Sequence, residues 1–220
     1  MAILDLHWHE LDLFSEDTLR GDSSDCLAGV LAIGEPVVFD CEALAKAGGD
    51  EPDAEMALLA ADYRFTYLRL ALSIRSSDGI QVRFVSLDVT LHADSVCWSM
   101  QPLKIEQEVR VKGETKVSGK FKLKLLDLGA EEKDTEEYVA YQPLLEAFGL
   151  QRSDPAWELQ ATPGKRLHGI QLFHMVVRIP HGSTGVARVS IRADIRRRGF
   201  LFNYRARRAS DQQEIGSVEL

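Results

Sequence analysis

The chain has 220 residues, of which 45% are hydrophobic, and a formal net charge of −8. A chain of this length buries about 70% of its unfolded surface in one core, so it needs neither disulfides nor a structural metal for stability. Three widely spaced cysteines, Cys26, Cys41 and Cys97, exclude a disulfide framework and a CxxC metal or redox motif. With no signal peptide and no apolar run near the ~20 residues of a membrane span, we expect a cytoplasmic protein.

Charge is divided along the chain. Residues 1–62 hold 15 acidic and two basic residues, a formal charge of −13, whereas residues 163–220 hold 11 basic and four acidic residues, a charge of +7. Such a division concerns association rather than fold. With the composition, it predicts an acidic, loop-rich arm at 1–62, a β-sandwich core at 63–208 and a polar tail at 209–220.

The first predicted strand runs from Ala2 to Phe14 and is expected at an edge or on the surface. Asp5, His7 and His9 alternate along its polar face. Carboxylate and imidazole groups side by side are zinc ligands, so these three residues are a metal-site candidate. We favour the alternative, a polar outer face that binds no metal, and expect no cofactor.

Two short helices are predicted before the long strands. Asp40 has the position of an N-cap for a helix from Cys41 to Ala47, which Gly48 and Gly49 would end. The helix-forming residues at 54–61 predict one or two further turns.

The longest alternating pattern, from Tyr63 to Leu91, predicts a central β-hairpin. One face of its first strand is apolar at Leu68, Leu70, Leu72 and Ile74. Asp78 and Gly79 predict the turn, because glycine takes a positive φ without steric cost. In the second strand the apolar phase shifts, and one extra residue near Phe84 and Val85, a β-bulge, would bring both apolar sets to one face.

Two further segments are predicted before the most apolar strand. Alternation at 105–111 and 117–125 predicts a second hairpin, with acidic and lysine-rich outer faces paired across it. Residues 138–150 contain Pro143, which excludes an uninterrupted helix or a central strand. For 138–150 we expect either a strand followed by a short helix or two edge strands.

The C-terminal third contains three predicted strands. Residues 167–179 are the most apolar run and predict a central strand with both faces filled, while 187–196 and 200–205 alternate cleanly. In total, eight to ten short strands with turns between them predict a mainly β fold. We expect an antiparallel β-sandwich of immunoglobulin- or arrestin-like architecture, with one to three short helices, mostly in the N-terminal region.

Catalytic signals are few. His168 and His174 fall on the same face of the apolar strand, where we expect a histidine at the core edge bonded to backbone rather than a catalytic one. The segment 181–185 lies between two strands, so it is predicted as a hairpin turn rather than an oxyanion loop. Gly164 and Lys165 lack the other residues of a phosphate-binding loop and are likewise predicted as a turn.

Arginines are the most unusual feature and supply the candidate binding residues. They are Arg188, Arg192, Arg196, Arg197, Arg198, Arg205, Arg207 and Arg208. Alternation places several of them on the outward face of two neighbouring strands, where guanidinium groups attract phosphates or acidic protein surfaces. Aromatic side chains for stacking bases are sparse there, and arginines at a sheet edge also discourage aggregation.

The sequence therefore predicts a non-enzymatic protein-interaction module, an adaptor, regulator or assembly component that uses its arginine-rich face or an open edge strand. A protein partner with an acidic surface is expected, and the acidic arm is predicted to lie near the arginines and mask them. One alternative is a binder of nucleic acid or an anionic surface through the same arginines. Another is a metal-dependent enzyme built on Asp5, His7 and His9. The oligomeric state is not predicted.

Overall fold

A computed structural model describes residues 7–15, 26–48, 54–77, 79–92, 94–114, 135–197, 200–207 and 216–220. Its helices are α1 (Cys41–Gly48) and α2 (Ala54–Leu59). The strands are β1 (Trp8–Ser15), β2 (Cys26–Gly34), β3 (Val37–Asp40), β4 (Tyr63–Ile74), β5 (Ile80–Leu91), β6 (Val96–Gln101), β7 (Lys104–Glu114), β8 (Thr135–Phe148), β9 (Ala156–Gln160), β10 (Gly169–Pro180), β11 (Val186–Arg197), β12 (Phe200–Arg207) and β13 (Gly216–Glu219).

The strands form the predicted antiparallel β-sandwich. Hydrogen bonds connect them in the order β6-β10-β4-β2-β1-β12-β11-β5-β9-β8-β7, with β3 beside β4 and β13 beside β11. The first layer contains β6, β10, β4 and β2, and the second contains β12, β11, β5, β9, β8 and β7. Because β1 bonds to β2 and to β12, it joins the two layers.

The core lies between the two layers and follows the alternation that the sequence shows. Leu68, Leu70 and Leu72 of β4 point into it from the first layer, as predicted. Trp157 of β9 meets Phe173 of β10 across the sandwich, with ring centroids 5.1 Å apart and both side chains fully buried. Each such side chain contributes roughly 1.5–3 kcal/mol through burial.

The predicted edge position of β1 is wrong, because β1 has a strand on each side. Its Leu11 and Leu13 are fully buried in the core, where Leu31 of β2 joins them. The interpretation of residues 1–62 as an appended arm is therefore wrong for β1 and β2, which complete the core. β3, α1 and α2 also belong to that segment, of which residues 1–6, 16–25 and 49–53 lie outside the described residues.

β4 and β5 are strands as predicted, but the central hairpin is wrong. β4 pairs along its whole length with β10, whereas β5 pairs with β11 and β9. An isolated bridge joins Ser77, in the segment after β4, to Ile80 at the start of β5. Their apolar faces pack towards each other from opposite layers, so both strands bury their alternating side chains without pairing.

The predicted bulge in β5 is confirmed, one residue before its expected place. Asp194 of β11 pairs with Phe84, whereas the next residue, Ile195, pairs with Val82, so Arg83 is the extra residue. Val82 and Val85 consequently face the same core.

β8 differs from both alternatives for residues 138–150, because one strand continues through Pro143. Opposite β7, the register shifts so that Leu144 is an extra residue directly after the proline. β9 pairs only with the end of β8, from Leu145 onwards. Pro143 thus lies at a bulge and outside the pairing with β9, where its missing N–H costs little. The predicted hairpin partner of β7, residues 117–125, lies outside the described residues.

The helices agree with prediction, since Asp40 caps α1 by accepting a 2.9 Å hydrogen bond from the amide of Ala43. Of the predicted polar tail, residues 209–215 lie outside the described residues, whereas β13 pairs with β11 and Leu220 packs against the core. β10 is central, between β4 and β6. Its two faces are not equally filled, however, because its outer face, as far as the structure describes the chain, has no third layer over it.

Candidate functional site

The metal candidate does not gain support from the described residues. Asp5 lies outside them, His7 is exposed and His9 is half-buried. In the part of the chain that the structure describes, no group of three or more histidine, cysteine or acidic side chains could hold a metal ion.

The predicted arginine row is present on the outward face of β11. Arg188, Arg192 and Arg196 are all exposed there, as alternation requires. Arg192 is neutralised, because its guanidinium forms an ion pair with Asp88 of β5 at 3.2 Å. Arg188 also has an interaction partner, whereas Arg196 makes no ion pair with any described residue. The charge available on this row is therefore at the Arg196 end.

For the other predicted arginines, the structure gives either a backbone position in the strand pairing or no position. Arg205 of β12 is directly opposite Arg192 in register, and Arg207 is the last residue of the same strand. Arg197 ends β11, while Arg198 and Arg208 lie outside the described residues.

The acidic N-terminal strand adjoins the basic C-terminal strand. Asp12 of β1 lies opposite Arg207 in register, and Phe14 lies opposite Arg205. The expected neighbourhood of the two segments thus exists at β1, as strand pairing inside the sheet. Masking of the arginines by the rest of the acidic segment stays a prediction.

A groove of about 330 Å³ lies at the end of β5 that is nearest to Arg196. We call it the cationic groove, and the residues that matter in its lining are Gln81, Arg83, Thr162, Gly164, Lys165 and Arg166. No acidic residue of the described chain lines it. Arg196 is adjacent, because it pairs directly with Gln81 across β11 and β5.

The other notable surface is the outer face of the first layer. We call it the aromatic face, and it consists of Phe39, Tyr63, Phe65, Tyr67, Arg69, Trp98, His174 and Arg178. The side chains alternate with the core residues of β4 and β10, so the period-2 pattern that fills the core also builds this face.

Stacking organises the aromatic face. The guanidinium of Arg178 lies 4.8 Å from the ring centre of Tyr63 and 5.3 Å from that of Trp98. Phe65 meets Trp98 edge-on at 5.5 Å. Cation–π contacts and ring stacking of this kind restrain the positions of these side chains.

Two guanidinium groups on this face have buried donors without partners. Nε and Nη2 of Arg69 and Nε of Arg178 are buried, and none bonds to any described residue. A buried donor that lacks an acceptor costs roughly 1–3 kcal/mol, so such atoms call for an explanation.

His174 and the thiols of Cys41 and Cys97 have shifted pKa values. Burial first, and Arg69 second, lower the pKa of His174, whose Nδ1 shares a hydrogen bond with the Tyr67 hydroxyl. The expected backbone bond is thus replaced by a bond to a side chain. Burial raises the pKa of Cys97 to about 12, and burial with Asp40 raises that of Cys41 to about 11, so both thiols stay protonated at neutral pH.

Comparison with protein-family models and with curated proteins finds no match for this chain. No helix within the described residues is long and apolar enough to cross a membrane. The two surfaces must therefore be interpreted from their own chemistry.

Sequence reasoning missed the aromatic face. Its members come from β3, β4, β6 and β10, which only the strand order brings together. One signal was available, because Arg69 and Arg178 interrupt the two most apolar strands, where an unpaired charge is unexpected.

Proposed function

We propose that this protein is a non-enzymatic, cytoplasmic protein-interaction module that binds a carboxylate-bearing protein segment on its aromatic face. The observation that carries the proposal is the pair of guanidinium groups, Arg69 and Arg178, whose buried donors have no described partner in the middle of that face.

The composition of the face supports protein contact. Tryptophan, tyrosine and arginine are enriched at hot spots, the residues that contribute most of the binding energy of a protein interface. The aromatic face brings such residues together on one surface, namely Trp98, Tyr63, Tyr67, Arg69 and Arg178. Their stacking restrains the rotamers, so less side-chain entropy is lost when a partner binds.

Charge supports an acidic partner. His174 has a lowered pKa and is neutral at pH 7, so the two arginines supply the positive charge at the centre of the face. A carboxylate that reached Arg69 or Arg178 would form charge-assisted hydrogen bonds, which are roughly twice as strong as neutral ones.

Apolar side chains next to the arginines supply the rest of the contact. Ile170 and Leu172 of β10 are 58% and 44% exposed, on the same face as His174. Burying this area contributes about 25 cal/mol for each Å² that a partner covers. The partner segment is therefore expected to carry apolar residues beside its acidic ones.

The open-edge alternative has less support. β6 ends the strand order of the first layer, but Arg152 accepts a backbone hydrogen bond from Cys97, and Cys97 accepts one from Gln151. Strand addition at β6 would have to displace these bonds.

The test places a photo-crosslinking residue at Leu172 in the full chain. We expect a protein to be crosslinked there through a peptide rich in aspartate or glutamate. The matched control has the same residue at Leu58 of α2, which is 83% exposed and lies outside the aromatic face. The proposal would be contradicted if no protein were crosslinked more strongly at Leu172 than at Leu58.

The affinity for the crosslinked partner then tests whether apolar and charged contacts on the aromatic face bind it. With the purified crosslinked partner, Ile170→Glu should weaken binding about tenfold or more, since it removes apolar contact and adds a charge that repels carboxylates. Leu58→Glu should leave the affinity unchanged. Equal effects of the two substitutions would show that the partner binds elsewhere.

A further inference from the structure

We infer that the cationic groove is a binding site for a small phosphate-bearing molecule, separate from the aromatic face. The groove belongs to the second layer, and the aromatic face belongs to the outer side of the first. The inference does not depend on the proposed protein partner.

The bulge in β5 places the first cation. Arg83 is the extra residue of that strand, and a bulge commonly turns a side chain away from the regular alternation and towards a site. The carbonyl of Arg83 accepts a 2.8 Å hydrogen bond from the amide of Ala161, just after β9. This bond joins the bulge to the segment that forms the opposite wall.

A tight turn places the other two cations. Thr162 and Lys165 form an isolated bridge around Gly164, whose φ of 83° is one that glycine adopts readily. Thr162 is buried, and its hydroxyl donates a 2.8 Å hydrogen bond to Gln107 of β7. The turn is therefore anchored at its base, while Lys165 and Arg166 remain exposed.

The electrostatic balance of the groove favours an anion. Arg83, Lys165 and Arg166 line it, Arg196 stands beside it, and none of the four makes an ion pair with a described residue. Three like charges around one space repel one another unless an anion lies between them. The volume of about 330 Å³ is at the lower end of the range for small-ligand sites.

Phosphate fits these residues better than a lone carboxylate does. Arginine binds the oxygens of phosphate in a bidentate manner, and lysine binds them as a point charge. Two or more linked phosphates would engage Arg83 on one wall and Lys165 and Arg166 on the other. The site is unlike a phosphate-binding loop, because its donors are side chains.

The test titrates inorganic pyrophosphate into the full chain and follows backbone amide resonances. We expect saturable shifts at residues 81–83 and 161–166, and binding should weaken as salt is raised. Arg83→Gln should weaken the affinity about tenfold, as loss of one charge-assisted contact does. Lys165→Gln should have a similar effect.

The matched control is Arg152→Gln, which removes one exposed arginine near the opposite end of β5. It should not change the affinity for pyrophosphate. Absence of saturable shifts, or equal weakening by Arg152→Gln and Arg83→Gln, would overturn the inference, since either result would indicate diffuse attraction at most.

A second arm identifies the source of the phosphate. Vesicles of phosphatidylcholine with a phosphoinositide are sedimented with the protein, with and without pyrophosphate. If the protein binds the vesicles, and if pyrophosphate displaces it and Arg83→Gln weakens the binding, the result supports the site with a lipid headgroup as its ligand. Saturable binding of free pyrophosphate without vesicle binding would support it with a soluble ligand.

Discussion

Trp157 is a residue at which the two layers contact each other directly. Its ring packs on Phe173, and its indole N–H donates a 3.1 Å hydrogen bond to the carbonyl of Pro102. One side chain therefore fixes both the spacing of the layers and the path of the chain between β6 and β7.

Replacing Trp157 should show how far the fold depends on it. We expect Trp157→Ala to lower the free energy of unfolding by about 3–5 kcal/mol, because it leaves a large cavity and an unpaired carbonyl. Urea unfolding measures the loss. Phe148→Ala, at an exposed position, is the comparison, and a similar loss there would contradict the central role of Trp157.

His174 makes stability depend on pH. Tyr67 and Arg69 of β4 face it, and Cys41 at the start of α1 lies near Tyr67. Because burial and Arg69 lower the pKa of His174 in the folded state, the unfolded chain takes up the proton first as pH falls. Stability is thus lost as pH falls below about 6.5, until the pH is below the folded pKa.

The corresponding prediction concerns the acid side of the stability profile. His174→Gln should lose less stability than the unaltered protein between about pH 7.5 and pH 5, because the linked proton is gone. Urea midpoints across that range measure it. Leu58→Gln, at an exposed position of α2, should follow the unaltered profile, and a parallel profile for His174→Gln would refute the linkage.

At the level of elements, the β5 bulge connects sequence, core and groove. It keeps Val82 and Val85 on one face, and it turns Arg83 out of the regular alternation. A register slip of one residue would exchange the two faces of the strand.

Deleting Arg83 should remove the bulge without exchanging the two faces of β5. Val82 then precedes Phe84 directly, and the two residues keep their partners Ile195 and Asp194, so Val82 and Val85 still face the core. We expect the deletion variant to unfold cooperatively, as Arg83→Ser does, which should change the unfolding free energy by no more than about 0.5 kcal/mol. Circular dichroism and urea unfolding measure both variants, and loss of cooperative unfolding on deletion alone would contradict Arg83 as the extra residue.

The alternation of side chains predicts strands better than it predicts their partners. It located β4, β5, β10 and β11, because each must bury one face. It paired β4 with β5 wrongly, because Asp78 and Gly79 allow a crossing between layers as readily as a hairpin turn. The prediction for residues 138–150 failed for a similar reason. Pro143 lies at a bulge outside the pairing of β8 with β9, where a strand tolerates a proline.

The candidate sites were less predictable than the fold for a related reason. The exposed positions of Arg188, Arg192 and Arg196 follow from local alternation. The neutralising Asp88 lies more than a hundred residues earlier in the chain, and only the pairing of β5 with β11 brings it to Arg192. The same long-range pairing assembles the aromatic face and the cationic groove.

For the whole molecule, β1 determines whether the chain behaves as one unit. Leu11→Ala should lower the unfolding free energy by about 2–5 kcal/mol, as loss of a fully buried leucine does. Leu58→Ala, at an exposed position, should change it by no more than about 0.5 kcal/mol. Both are measured by urea unfolding. Equal, small losses would restore the view of residues 1–62 as an appendage.

The position of β1 also has a consequence for biosynthesis. β1 is translated long before its partner β12, because Leu13 lies opposite Ala206. The two layers cannot be joined until β12 has emerged from the ribosome, and closure of so long a loop is slow. Nascent chains are thus expected to expose Leu11 and Leu13 until β12 has been made, the kind of apolar surface that chaperones recognise.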